Sequence, residues 1–105
     1  MKSDIERFHE IVVNMEELYK KKNANYGNSF EKLFKDLGPI AGIVPLHNKL
    51  DRITNLVKGG KSDFESLEDS LVDLANYAIL NLIELQKQKT DTMTKIKKVE
   101  QNGKN

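Results

Sequence analysis

The segment that decides the fold is residues 67–85, which reads LEDSLVDLANYAILNLIEL. Leu67, Leu71 and Leu74 follow one another at steps of four and three residues, and this spacing places them on one face of a helix. Other apolar residues widen that face, namely Val72, Ala75, Ala78, Ile79, Leu82, Ile83 and Leu85. A helix that is apolar over so much of its circumference usually lies at the centre of a bundle. We therefore expect the rest of the chain to supply helices that pack around this one.

Three segments upstream show the same helical period. The first covers residues 4–22, and its apolar stripe consists of Ile5, Phe8, Val12, Met15 and Tyr19. The second is short, begins at Ser29 and is closed by Gly38 and Pro39. The third carries a stripe of Ile43, Leu46, Leu50, Ile53 and Val57 and ends at Gly59. Pro45 fits the first turn of that third helix, where a missing N–H costs nothing.

The sequence thus predicts an all-α fold, a small bundle of three longer helices plus one short helix. The fourth helix should begin near Ser62 or Ser66, each of which has an acidic residue three positions later. Four small helices leave little room for an internal pocket. We therefore expect a homo-oligomer in which a pocket lies between protomers.

Charge is distributed unevenly along the 105 residues, although the net charge is only +1. Residues 86–105 carry six lysines against Asp91 and Glu100, whereas the first 85 residues hold more acidic than basic side chains. A chain of this length usually forms one domain. We predict a helical domain over residues 1–85 and a basic C-terminal extension over residues 86–105, which either continues the last helix or frays.

Several classes of function are disfavoured by composition. The chain has no cysteine, so thiolate metal sites and cysteine nucleophiles are excluded. No leader-like segment and no run long enough to span a membrane is present, so we expect a cytoplasmic protein with no membrane partner. The basic extension lacks interleaved aromatic residues and no nucleic-acid reader motif occurs, so we do not expect nucleic acid as a partner.

Carboxylates form a ladder on the helix that is otherwise most apolar. Glu65, Asp69, Asp73 and Asn76 lie at i, i+4, i+8 and i+11, and so share one stripe. One interpretation is a solvated polar face. The other is a functional cluster that holds a divalent metal or recognises the ribose and base groups of a ligand.

A second polar set lies on the third helix. Lys49 and Arg52 are three residues apart and reach the same side. They either pair across the bundle with Asp69 and Asp73, or hold a phosphate, whose geometry an arginine fork matches. The two interpretations are compatible if the pairs open onto a pocket. His47 is a weaker candidate for the same site.

The segment from Lys22 to Phe30 reads KNANYGNSF. Its asparagines, glycine and serine favour a loop over residues 23–29. With Ser29 as the cap of the next helix, the loop could hold an anion, and Tyr26 could stack on a base. The alternative is an ordinary interhelical turn in which Tyr26 packs inward.

Three blocks in order resemble the nucleotide-modification-associated domain, a small all-helical family common in bacteriophages and prophages. They are KNANYGNSF at residues 22–30, KLDRI at 49–53 and LEDSLVDLANYA at 67–78. The resemblance covers roughly residues 8–85 and implies nucleotide binding or nucleotide chemistry. That family is in turn distantly similar to MazG-type all-α nucleoside triphosphate pyrophosphohydrolases, which hold Mg²⁺ with acidic pairs on two helices.

The sequence departs from the hydrolase pattern on the third helix. The resemblance would carry over Asp69 and Asp73, with Glu65 or Glu68, as metal ligands on the last helix. Where the hydrolases have a Glu-x-x-Glu pair, this chain has His47-Asn48-Lys49-Leu50-Asp51-Arg52. Lysine and arginine would grip phosphates but would activate water poorly.

We therefore expect a phage-type protein that binds and sequesters a nucleotide-derived small molecule, such as a cyclic nucleotide immune signal, without catalysis. Ligand-binding candidates are Lys22, Tyr26, His47, Lys49, Arg52, Asp69, Asp73 and Asn76. No cofactor is expected in this case. The alternative is a Mg²⁺-dependent nucleotide pyrophosphohydrolase that uses Asp69 and Asp73 with Asp51 or Glu65, and a second alternative is a helical protein-interaction module.

Overall fold

The computed structural model describes residues 1–26, 29–59 and 64–103, together with the side chains of all these residues except 23–26 and 103. Four helices make up this part of the chain: α1 (Asp4–Tyr26), α2 (Ser29–Leu37), α3 (Pro39–Lys58) and α4 (Phe64–Gly103). Their lengths are 23, 9, 20 and 40 residues. The predicted all-α fold, with three longer helices and one short helix, is confirmed. None of these helices has a stretch of sufficient length and hydropathy to cross a bilayer.

Helix α1 begins as the sequence predicted but ends later. The Glu6 N–H donates to Ser3 Oγ over 3.2 Å, which satisfies one of the unpaired donors at the helix start. The helix then continues through Asn23 to Tyr26, so the prediction of a loop starting at residue 23 is wrong. Once a helix is formed, each added residue gains a hydrogen bond, and asparagine lowers helix propensity by only about 0.7 kcal/mol relative to alanine. The turn signals of residues 27 and 28 lie outside the described residues.

Helix α3 begins four residues earlier than the stripe from Ile43 predicts. Pro39 occupies its first turn, where its fixed φ suits a helix and its missing N–H is not needed. Pro45 therefore lies inside the helix, and its predicted place in the first turn is wrong. Gly38 separates α2 from α3 with a φ of 79°, in the left-handed region that glycine adopts without strain.

Helix α4 is the longest element and the centre of the fold. It starts at Phe64, between the two serines proposed as its beginning, and runs on to Gly103. The basic extension over 86–103 is thus a continuation of the helix. Helix α4 packs mainly against α3, makes a few contacts with α1, and reaches α2 through Tyr77, whose ring centroid lies 6.3 Å from that of Phe30.

The buried core is small. Phe34 on α2 is 1% exposed and Ala41 on α3 is 5% exposed. The Asn81 amide on α4 donates to Gly42 O over 3.0 Å and to Tyr77 O over 2.7 Å, and so ties α3 to α4. The predicted bundle is therefore compact only around α2, α3 and the adjoining part of α4.

Helix α1 joins this core only through its C-terminal half. Residues 1–14 are all exposed, whereas Met15, Tyr19 and Lys22 are half-buried. Of its predicted apolar stripe, the part formed by Ile5, Phe8 and Val12 is left in contact with solvent. The sequence therefore has the amphipathic pattern along the whole of α1, but within a single chain only the last part of the stripe packs against other residues.

Candidate functional site

Two lysines from different helices converge on one carboxylate. Lys22 Nζ on α1 lies 2.9 Å from Asp73 Oδ1, and Lys49 Nζ on α3 lies 3.3 Å from Asp73 Oδ2. We call Lys22, Lys49 and Asp73 the lysine–aspartate triad. It is assembled because Asp73 lies on the side of α4 that both neighbouring helices can reach. The triad carries a net charge of +1 at the junction of three elements.

The electrostatics of the triad favour the ionised carboxylate. Partial burial acts to raise the pKa of Asp73, but hydrogen bonds from Lys22 and Lys49 and their positive charges outweigh it, so the pKa lies below its usual value. Asp73 therefore stays charged under all ordinary conditions. As an anion it holds the two ammonium groups close to each other, although like charges alone would separate them.

Arg52 continues the basic side of α3 one turn beyond Lys49. Its Nε donates to Ser70 Oγ over 3.2 Å, and Ser70 Oγ donates to Ser66 O over 2.8 Å. Ser70 is 2% exposed, while Arg52 as a residue is exposed. One edge of the guanidinium is thus anchored to α4.

The triad lies beside an open groove between α1 and α4. The groove has a volume of about 970 Å³, which is within the size range of small-molecule sites. Lys22, Asp69 and Asp73 line it together with apolar side chains such as Met15 and Val72. A narrow crevice next to it brings Asn76 beside Lys22 and Asp73.

The charge of the groove is less favourable to anions than that of the triad. Its charged lining residues are Glu17, Lys21, Lys22, Glu68, Asp69 and Asp73. Four carboxylates against two lysines give the lining a net charge of −2. Two further basic side chains, Lys49 and Arg52, contact α4 from α3 at Asp73 and Ser70 but are not part of the lining. Three of the four acids, Glu68, Asp69 and Asp73, lie on the α4 wall, whereas both lysines of the lining lie on α1.

Six of the eight predicted site residues are brought to this region of α1, α3 and α4. Lys22, Lys49 and Asp73 form the triad, Arg52 is anchored one turn from Asp73, and Asp69 and Asn76 line the adjoining space. Pairing across the bundle, one of the two interpretations of Lys49 and Arg52, is found for Lys49 with Asp73, whereas Arg52 donates to Ser70 rather than to a carboxylate.

The other two predicted site residues are His47 and Tyr26. His47 Nε2 lies 3.4 Å from Asp51 Oδ2 on the exposed side of α3, and both side chains are more than half exposed. Since residues two apart on a helix do not face each other, His47 points away from Lys49 and does not join the triad. The side chain of Tyr26 lies outside the described residues.

Sequence reasoning missed Ser70. Ser70 lies one turn before Asp73 on the same face of α4, so its spacing could have placed it opposite Arg52. Glu68 was weighed only as a metal ligand, and the structure places it in the groove wall. Among the described residues, no three histidine, aspartate or glutamate side chains come together in a way that could hold a metal ion.

A second ion cluster lies about three turns further along α4, where this helix meets α2. Lys87 Nζ is 2.9 Å from Glu84 Oε1 and 3.6 Å from Glu31 Oε1, and Lys35 Nζ is 3.0 Å from Glu31 Oε1. Glu84 is only 5% exposed, and its pairing with Lys87 satisfies it. Since this cluster is neutral overall and joins α2 to α4, we assign it a structural role.

Comparison with known families adds one match. A family described as "Nucleotide modification associated domain 1" matches residues 22–85, which is more than half of the chain and contains the whole lysine–aspartate triad. No significant match was found among curated proteins or among solved structures.

Proposed function

Because this chain belongs to the nucleotide modification associated domain 1 family, we propose that it binds a nucleotide-derived small molecule and releases it unchanged. The observation that carries the proposal is the lysine–aspartate triad at the end of the groove between α1 and α4. It combines fixed positive charge with an accessible space of suitable size.

The triad would hold phosphate. An ammonium group carries three N–H donors, so its contact with Asp73 leaves Lys49 with donors for an anion. Asp73 acts as a positioning residue, because it keeps two ammonium groups at one point before the ligand arrives. Arg52, whose Nε is fixed on Ser70, has its remaining guanidinium N–H groups for a second phosphate oxygen.

The acidic wall would recognise the rest of the ligand. Asp69 and Asn76 accept hydrogen bonds from ribose hydroxyls or from exocyclic amino groups of a base. Carboxylates in the groove also repel a phosphate that is placed away from the lysines. The ligand would thus bind with its phosphate at the lysine–aspartate triad and its sugar and base along α4.

The cellular role that we propose is sequestration. The family resembled by the sequence is common in bacteriophages and prophages, and a small cytoplasmic protein that binds a cyclic nucleotide immune signal would blunt a host defence. A binding protein of this kind needs no metal and no water-activating base. This role is supported by the resemblance and by the basic groups that stand where the related hydrolases carry acids.

A second candidate is the Mg²⁺-dependent pyrophosphohydrolase, and one observation favours it. Asp69 and Asp73 line the same groove, and Mg²⁺ is often held by one or two carboxylates together with substrate phosphates. Against it, Asp73 already carries two lysines. A metal ion would have to displace both ammonium groups from that carboxylate.

The first experiment is a ligand panel. Linear and cyclic nucleotides are added with and without Mg²⁺, thermal shifts are recorded, and the nucleotide is recovered by denaturation and analysed by chromatography. We expect a raised melting temperature with at least one nucleotide, recovered intact, whether or not Mg²⁺ is present. Product formation that stops on addition of EDTA would contradict the binding proposal and establish the hydrolase. Absence of any shift would contradict both and leave the interaction module.

Substitutions at the triad make the test specific. We expect Lys49→Ala to weaken nucleotide binding at least about tenfold, because a hydrogen bond to a charged group is worth about 1.5–3 kcal/mol. Lys58→Ala is the matched control, since Lys58 is an exposed lysine on the same helix and lies outside the site. Asp73→Asn should also weaken nucleotide binding, because the two ammonium groups are then no longer held at one point; loss of a Mg²⁺-dependent turnover in this variant would instead indicate the hydrolase.

A further inference from the structure

The described chain exposes far more surface than a folded monomer of its mass. Its accessible surface is 8718 Å², whereas a monomer of 12.0 kDa is expected to expose about 6,000 Å². The excess is about 2,700 Å². It is close to the upper limit of what one protomer contributes to a large obligate interface, which buries about 2,000–5,000 Å² over both partners. The structure therefore has surface of the right extent to associate with another chain.

Helix α4 carries an unpartnered stripe with the spacing of a coiled coil. Successive members are separated by alternating steps of four and three residues over four heptads: Leu71, Ala75, Ala78, Leu82, Leu85, Lys89, Thr92, Ile96 and Val99. We call this set the α4 seam. Its large apolar members are exposed, for example Leu82 at 57% and Val99 at 71%. A repeat of 3.5 residues is the pattern by which two helices pack along their length.

The seam is distinct from the face of α4 that the chain already uses. The face of α4 that contacts α2 and α3 includes Ser70, Tyr77, Asn81 and Glu84. Ser70 and Asn81 bond α3 directly, Tyr77 meets a ring of α2, and Glu84 is linked to α2 through Lys87. None of these residues belongs to the seam. A helix docked on the seam would therefore leave the contacts of α4 with α2 and α3 in place, and at Leu71 and Ala75 it would lie beside the groove between α1 and α4.

The charge of α4 selects the orientation and identity of such a helix. Residues 64–86 contain five acidic side chains and no lysine or arginine, whereas residues 87–103 contain five lysines against Asp91 and Glu100. A second α4 in antiparallel orientation places each acidic half beside a basic half. A parallel arrangement would place like charges together over the whole length. The chain is thus complementary to a second copy of itself.

We propose that two copies of this chain form a dimer through antiparallel pairing of their α4 seams. In the register with the two-fold axis between residues 83 and 84, Leu82 of one copy meets Leu85 of the other, Leu71 meets Ile96, and Lys89 passes over Ala78. The long lysine is thereby placed against the smallest side chain of the seam. The proposal rests on surface, spacing and charge, and is independent of any nucleotide.

Dimer formation in this register also alters the groove between α1 and α4. Leu71 and Ala75 belong both to the seam and to the groove lining, and Glu68 lies beside them in that wall. The lysine-rich end of the second α4 then runs along the acidic wall of the groove. This arrangement offsets the net negative charge of the lining, so each site is completed by the other copy.

Cysteine cross-linking tests the orientation directly, because the chain has no native cysteine. In the proposed register, position 71 lies about 37 Å from its own copy at a rise of 1.5 Å per residue, which is too far for a disulfide. We expect Leu71→Cys and Ile96→Cys to remain uncross-linked when each is oxidised alone, and to form a disulfide-linked dimer when the two are mixed. Self-cross-linking of either variant would overturn the antiparallel arrangement.

Light scattering with matched substitutions tests the dimer itself. We expect the unmodified chain to have twice the mass of one 12.0 kDa chain at about 100 µM, and Leu82→Lys to be a monomer. Val57→Lys is the control, because Val57 is 63% exposed but lies on α3, away from the seam, and it should stay dimeric. The proposal would be overturned if the unmodified chain were a monomer. It would also be overturned if Val57→Lys were monomeric while Leu82→Lys stayed dimeric.

Discussion

Asp73 is the residue on which the geometry of the site depends. Its two carboxylate oxygens are bonded separately, one to Lys22 from α1 and one to Lys49 from α3. A single side chain thus fixes the relative position of three helices. Because the triad is only partly buried, we expect its stabilising effect to be modest, in the range of about 1 kcal/mol.

The pH dependence of stability reports this role. A carboxylate with a pKa lowered by folding stabilises the protein above its unfolded pKa of about 3.9, and this stabilisation is lost as pH falls through the folded value. Asp73→Asn should therefore lower the free energy of unfolding at pH 7 by about 1 kcal/mol, with a smaller difference from the unmodified chain near pH 3. Urea unfolding at the two pH values measures this.

Asp69→Asn provides the control for that measurement. Asp69 lies one turn earlier on α4 and forms no ion pair with any other residue that the structure describes. We expect this variant to follow the unmodified chain at both pH values. If Asp73→Asn lowers the free energy of unfolding equally at pH 7 and pH 3, the stabilisation by Asp73 does not come from its ionised carboxylate.

At the scale of elements, α3 and α4 are held together by close backbone approach. A Cβ on Gly42 would overlap the Asn81 side chain, and Asn81 uses that proximity to donate to the Gly42 carbonyl. Glycine is required here by the neighbouring helix and not by a special φ. The contact places the two helices so that Lys49, two turns further along α3, reaches Asp73.

Substitution of Gly42 should therefore weaken the α3–α4 pair. Gly42→Ala forces Asn81 to move and breaks a partly buried hydrogen bond, at an expected cost of about 1–3 kcal/mol in the free energy of unfolding. Gly59→Ala is the matched control, because Gly59 has a φ of −66° that alanine adopts readily. It should change stability by less than about 0.5 kcal/mol. Equal effects in chemical denaturation would mean that close packing at Gly42 is not important.

The sequence predicted the number and order of the helices because the apolar period is strong in each of them. It misplaced the end of α1 and the start of α3, since propensity at residues such as Asn23 and Pro39 is weaker than the gain from extending a helix. The triad was partly within reach of sequence reasoning, because pairing of Lys49 with Asp69 or Asp73 was one of the two interpretations of the third helix, whereas pairing of Lys22 with Asp73 was not considered. The exposure of His47 could not be predicted from the sequence, because this exposure depends on which side of α3 meets α4.

As a whole molecule, the described chain is extended. Its radius of gyration is 18.5 Å and its principal extents are 67 × 33 × 24 Å, whereas a compact domain of this length has a radius of about 13 Å. The long axis reflects α4, whose 40 residues rise by about 60 Å. A core limited to a few side chains gives such a chain little stability by itself.

Stability should therefore depend on protein concentration. If folding and dimer formation are coupled, a tenfold increase in concentration stabilises the folded state by about 1.4 kcal/mol per dimer. The urea midpoint should rise steadily between about 1 and 100 µM for the unmodified chain and stay constant for Leu82→Lys. A midpoint that is independent of concentration in both proteins would indicate a stable monomer.

The separation of the triad along the chain has a consequence for folding kinetics. Lys49 and Asp73 are 24 residues apart, whereas Lys22 and Asp73 are 51 residues apart, so the loop that must close to bring α1 into place is the longer one. Helices α2, α3 and α4 are neighbours in sequence and can form early through local contacts. We therefore expect helix α1, whose N-terminal half is exposed, to be the last element to dock and the first to open. The site is complete only during the time that α1 is docked, and a ligand held by Lys22 would slow its opening.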